Sequence, residues 1–113
     1  MSQVVEVLHP VVQHHLARLR DKSTSPVEFR TLIARLTKLL AYEATSDLVV
    51  SSVTVETPLT TMTGHVLTQK IGIVPILRAG LGMVDPVLDM IPSAEVWHLG
   101  LYRDEATAQP VHY

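Results

Sequence analysis

The sequence predicts an α/β fold in which two helices precede a hairpin and a β–α–β unit. Three observations carry this. Apolar residues recur at helical spacing through the first 45 positions, and the period drops to two near position 48. Two apolar runs, Ile71–Leu77 and Ala94–Leu101, then flank a further helical stripe. Apolar runs of this length between breaking residues mark strands covered on both faces, the habit of parallel sheets.

The elements follow in order. Residues 3–8 form a short apolar run ending at His9-Pro10, and Pro suits the first position of a helix because its missing N–H would have no partner there. A helix over about 10–21 follows, with Val12, Leu16 and Leu19 on one stripe. Ser25, Pro26 and Glu28 then form a capping box, so a second helix starts at 26. Phe29, Leu32, Ile33, Leu36 and Leu40 hold the helical period, which runs to about 45. From 48, Val53 and Val55 lie on one face and Thr54 and Glu56 on the other, as in a half-buried strand. A Pro- and Thr-rich connection over 57–63 and a second strand near 65–68 complete a hairpin or arm. After the strand at 71–77, Gly80 and Gly82 break the run, and Leu81, Val84, Leu88 and Ile91 give a helix over about 81–91. Pro86 inside that stripe is expected to kink or restart it.

Hydrophobic residues make up 47% of the 113 and charged residues 18%, below the roughly 25% usual in soluble domains. That balance argues against disorder and for heavy burial. Nine Lys and Arg against eleven Asp and Glu give no basic field, so neither nucleic acid nor an anionic membrane is an expected partner. The absence of cysteine removes disulfide scaffolds, thiolate nucleophiles and cysteine zinc sites. No basic leader with an apolar core opens the chain, and no apolar run approaches the ~20 residues that span a bilayer. A cytoplasmic location is the expectation.

Parallel strands share their C-terminal edge, where ligands of open α/β folds collect. Arg78 follows the strand ending at Leu77 and Arg103 follows the one ending near Leu101, so two guanidinium groups are expected over one edge. Beside them lie the free N–H groups of the helix that begins after Gly80. Two bidentate cations and a helix N-terminus suit a phosphate or diphosphate, and Gly80 and Gly82 would let the backbone approach it. The glycines are not a nucleotide fingerprint, since the third Gly of the Rossmann pattern is absent and no GxxxxGK[ST] loop occurs. The six histidines show no ligand spacing, and surface or capping roles are expected, with His98 packed at the core edge. Asp85 and Asp89 read as a solvated helix face, Asp104-Glu105 as a plain turn, and Tyr42-Glu43 as packing at the end of the second helix.

The run Val74-Pro75-Ile76-Leu77-Arg78-Ala79-Gly80-Leu81-Gly82-Met83 carries a family resemblance. With it go His9-Pro10, Tyr42-Glu43-Ala44-Thr45, Gly100-Leu101-Tyr102-Arg103-Asp104-Glu105 and Pro110-Val111-His112-Tyr113. Together they resemble the uracil phosphoribosyltransferases, over all 113 residues and in order. The resemblance implies a type I phosphoribosyltransferase-like fold: a parallel sheet flanked by helices, an N-terminal helical segment, and a β-hairpin arm used in assembly as a homodimer or higher oligomer. It implies transfer of a phosphoribosyl group from 5-phospho-α-D-ribose 1-diphosphate to uracil, with Mg²⁺ on the diphosphate and ribose hydroxyls, and GTP as an effector. It places Arg78 and Arg103 on the phosphoribosyl diphosphate and main-chain amides of Ala79 and Gly80 on its diphosphate.

The family's Asp-then-Thr-Gly-Gly-Ser/Thr loop and its Gly-Asp-Ala-Gly-Asp uracil loop do not occur in this sequence. Residues 1–113 are therefore expected to be the N-terminal part of a single phosphoribosyltransferase domain, an incomplete domain inactive alone. The rival expectation is a non-catalytic, truncated or regulatory homologue that acts by association.

Overall fold

The structure, a computed structural model, describes residues 3–112. Tyr113, part of the final motif, lies outside the described residues. Helix α1 spans Pro10–Arg20 and helix α2 spans Pro26–Ala44. His9 caps α1, its Nδ1 accepting from the Val11 amide at 3.1 Å, which is the capping role expected of a histidine here. Half of the expected capping box forms at α2, where Ser25 Oγ accepts from the Glu28 amide at 3.2 Å. The Glu28 carboxylate does not return to Ser25; it accepts from Arg18 of α1, at 2.7 Å from Nε and 2.9 Å from the terminal nitrogen. An interhelical pair has replaced the local one.

Strands β1 (Val50–Glu56) and β2 (Thr61–Leu67) form an antiparallel hairpin in register from Val50 opposite Leu67 to Glu56 opposite Thr61. The second strand begins earlier than its apolar signal because Thr61 and Thr63 are good strand formers. The turn needs only four residues: the Thr57 amide donates to the Thr60 carbonyl at 2.8 Å, and Thr57 Oγ1 accepts from the Thr60 amide at 3.0 Å. Every residue of β1 is exposed. The half-buried strand expected from the alternation is thus not found, because no layer covers either face of this arm.

Both apolar runs are strands, each broken once. The first gives β3 (Gly72–Ile73) and β4 (Ile76–Leu77); the second gives β5 (Glu95–Val96) and β6 (Leu99–Arg103). β3 pairs with β5 and β4 with β6, both parallel, and every paired residue meets the one 23 positions further on. The ladder is therefore one pairing with a gap. Amides of Glu95, Trp97 and Leu99 donate in turn to the carbonyls of Ile71, Ile73 and Pro75 at 2.9, 2.9 and 3.2 Å. What fails is the bond that position 75 would return, since Pro has no N–H. A short strand β7 (Pro110–His112), not anticipated, adds antiparallel to β6.

Between the parallel strands a 3₁₀ helix over Ala79–Met83 leads into helix α3, Val84–Met90. Pro86 does not kink α3. The helix starts later than its apolar stripe implies, so Pro86 falls in the first turn, where no N–H is required. Lys38 Nζ on α2 ties to Asp89 on α3 at 2.7 Å.

Among the described residues the buried apolar side chains are few: Val12, Leu32, Leu36 and Ile91, with the prolines Pro75 and Pro86. The heavy burial expected from composition is not realised. The molecule measures 63 × 33 × 28 Å with a radius of gyration of 18.2 Å, against about 13–14 Å for a compact domain of this length. Its core is confined to the helices, while the hairpin and the sheet faces stay open. Trp97 and His98 fall in the gap between β5 and β6 and are both exposed, so His98 is not the packed core-edge residue expected of it.

Candidate functional site

The C-terminal edge of the parallel pair is set by the last rung of β4 and β6, Leu77 opposite Gly100. Arg78 is the next residue on one strand and caps the 3₁₀ helix, with φ −103° and ψ −12°. Arg103 is the last residue of β6, three positions beyond Gly100. If the register continued, the two residues would differ by two strand positions, about 7 Å along the axis. Both side chains are exposed, and among the described residues neither makes an ion pair. The structure thus places the two predicted arginines on one edge with their charge uncompensated.

A cleft of about 320 Å³ lies beside Arg103, lined also by Leu101, Tyr102, Ala108 and Pro110. A larger groove of about 590 Å³ is lined by the other loop, including Pro75, Ile76, Ala79, Gly80 and Met83. Ala79 and Gly80 open the 3₁₀ helix, where N–H groups have no partner within the turn. The Leu81 amide is already used, donating to the Arg78 carbonyl at 3.1 Å. The helix N-terminus expected beside the arginines belongs to this short turn, because α3 begins only at Val84 and has no side-chain cap.

The glycines serve packing. A Cβ on Gly80 would stand 3.3 Å from Pro75, and one on Gly82 would stand 3.6 Å from Ile33 of α2. Their bare sides face the protein, which corrects the expectation that they clear space for a ligand. Asp89 accepts the Lys38 hydrogen bond, which holds its carboxyl below the ordinary range, while Asp85 is exposed, as expected of a solvated helix face. Tyr42 is exposed and lines a small cleft with His9 and Glu43, so it is not packed as expected. Asp104 does form a turn, as expected, and its four hydrogen bonds were not legible from spacing.

The described chain is thus an α/β arrangement of a helix pair, a hairpin arm and a parallel β–α–β unit, with Arg78 just past β4 and Arg103 at the end of β6. The family model described as "Uracil phosphoribosyltransferase" matches residues 6–113. A uracil phosphoribosyltransferase of Roseiflexus sp. (strain RS-1) is 56% identical over 113 residues, covering all of this chain and 54% of the relative. One from Alkaliphilus oremlandii is 50% identical over 114 residues, again covering 54% of its length. The solved structure of the AQ2163 protein from Aquifex aeolicus superimposes with a TM-score of 0.90 at 33% identity, over 98% of this chain and 54% of that one. The chain belongs to the uracil phosphoribosyltransferase family, and it spans about half the length of the curated relatives it matches.

Proposed function

We propose that this chain supplies the diphosphate-binding edge of a uracil phosphoribosyltransferase, with Arg78 and Arg103 on the phosphoribosyl diphosphate and the Ala79 and Gly80 amides beside it. The observation that supports it most is the placement of two exposed arginines, neither in an ion pair, past the last parallel rung of adjacent strands. In the reaction the bond from ribose C1 to the diphosphate oxygen breaks, a bond from C1 to uracil N1 forms, and the N1 proton is lost. Negative charge grows on the departing diphosphate. Cations already in place stabilise that charge without reorganising, which lowers the barrier more than it strengthens ground-state binding.

Mg²⁺ is the ion this chemistry calls for. Among the described residues no three His, Asp or Glu side chains converge to hold a metal. A magnesium ion would be carried by the diphosphate and ribose oxygens of the substrate.

A second reading, a non-catalytic protein acting by association, is favoured by the β1–β2 arm, whose Val53, Val55 and Met62 are exposed. Assembly of identical chains through this arm is compatible with both readings. Among the described residues no helix is long and apolar enough to cross a membrane.

The test is calorimetric titration of the chain with phosphoribosyl diphosphate and with uracil, paired with a UMP-forming assay. The reading expects binding of the diphosphate compound that Arg78→Ala and Arg103→Ala each weaken by roughly tenfold. Absence of such binding, or indifference to both substitutions, overturns it. UMP formation by these 113 residues would overturn both the associative reading and the expectation that they are inactive alone.

A further inference from the structure

We propose that Asp104 is a positioning residue for Arg103, its carboxylate locking the turn over 104–109 that holds Arg103 at the strand edge. The inference rests on the diphosphate reading above. Asp104 directly follows Arg103, and its side chain and main chain together make four hydrogen bonds. Its Oδ1 accepts from the amides of Ala106 and Thr107, both at 2.9 Å. Its own amide donates to the Gln109 carbonyl, and its carbonyl accepts from the Ala108 amide, both at 2.8 Å. The first main-chain bond closes the β6–β7 hairpin next to the Arg103 and Pro110 rung.

The turn needs that support. Ala108 sits at φ 58°, in the left-handed region that a residue with a Cβ adopts at a cost. The cleft beside Arg103 is lined from both limbs of the hairpin, by Leu101, Tyr102 and Arg103 on one and Ala108 and Pro110 on the other. Its shape follows the turn. Among the described residues Asp104 makes no ion pair with Arg103, so it acts through the backbone. The amides of Thr107 and then Ala106 hold its carboxyl below the ordinary range, keeping the acceptor charged.

Asn and Ala at this position separate geometry from charge. Asn offers a carbonyl oxygen where the carboxylate oxygen stood, and Ala offers none. The experiment is titration of the chain with inorganic diphosphate for the parent, Asp104→Ala, Asp104→Asn and Arg78→Ala, together with hydrogen exchange at the amides of Ala106 and Thr107. Asp104→Ala is expected to weaken diphosphate binding roughly tenfold and to speed exchange at both amides. Asp104→Asn is expected to restore both to within about threefold of the parent. If Asp104→Ala binds like the parent while Arg78→Ala does not, the diphosphate reading stands and this inference falls. Equal loss in the Ala and Asn variants would assign the effect to charge and overturn it. A parent chain that binds no diphosphate overturns both.

Discussion

Gly80 lies against Pro75 so closely that a Cβ built on it would be 3.3 Å from both the Cα and the Cβ of the proline. Pro75 is buried and sits where the parallel ladder is interrupted, and Gly80 is two residues from Arg78. The contact therefore seats the arginine loop on the gap in the ladder.

Replacing Gly80 with Ala forces the loop to shift by a few tenths of an ångström, since the neighbour is backbone and cannot rotate away. No left-handed φ is involved, so the effect is one of crowding. The expected destabilisation is about 1 kcal/mol, read from the denaturation midpoint, with a weaker affinity for diphosphate. Unchanged values for both would show that the loop is not seated on Pro75.

The Arg18 and Glu28 pair predicts a pH dependence. The Arg18 hydrogen bond, then its charge, holds the Glu28 carboxyl below the usual range of about 4.3. A group whose pKa is lowered on folding stabilises the fold above its unfolded pKa, and that stability is lost as pH falls through the lower folded value. Glu28→Gln should therefore melt slightly below the parent at pH 7 and together with it in strong acid. The pair is exposed, so the gap at pH 7 should also shrink in high salt. Thermal melts at two pH values and two salt concentrations check this.

Leu32, only 2% exposed in the middle of α2, is the most buried of the few core side chains. Leu32→Ala should cost about 3 kcal/mol, a large share of the roughly 5–15 kcal/mol that holds a domain together. Leu59→Ala, at the exposed hairpin turn, is the control and should change stability by less than about 0.5 kcal/mol. Chemical denaturation of the two variants separates core from surface.

Much of this was legible in the chain. Pro10 and Pro26 opened their helices and Ser25 capped the second, because these preferences act over a few residues and ask nothing of the rest of the fold. Arg78 and Arg103 could be assigned to one edge because parallel pairing alone forces strand ends together. Less legible were Glu28, which turned from its own helix to Arg18, and Asp104, whose hydrogen bonds need a hairpin that only β7 creates.

The sequence by itself determined where helices start, where the period changes and which strands carry the arginines, since those depend on local sterics and on side-chain alternation. Tertiary structure alone decided which apolar faces were covered. Val53 and Val55 alternate as a buried strand should, yet they stand exposed, while Gly80 faces Pro75 where a ligand was expected. The physical reason is that periodicity records a face able to be buried, whereas burial itself requires a second layer, and that layer comes from distant parts of a fold.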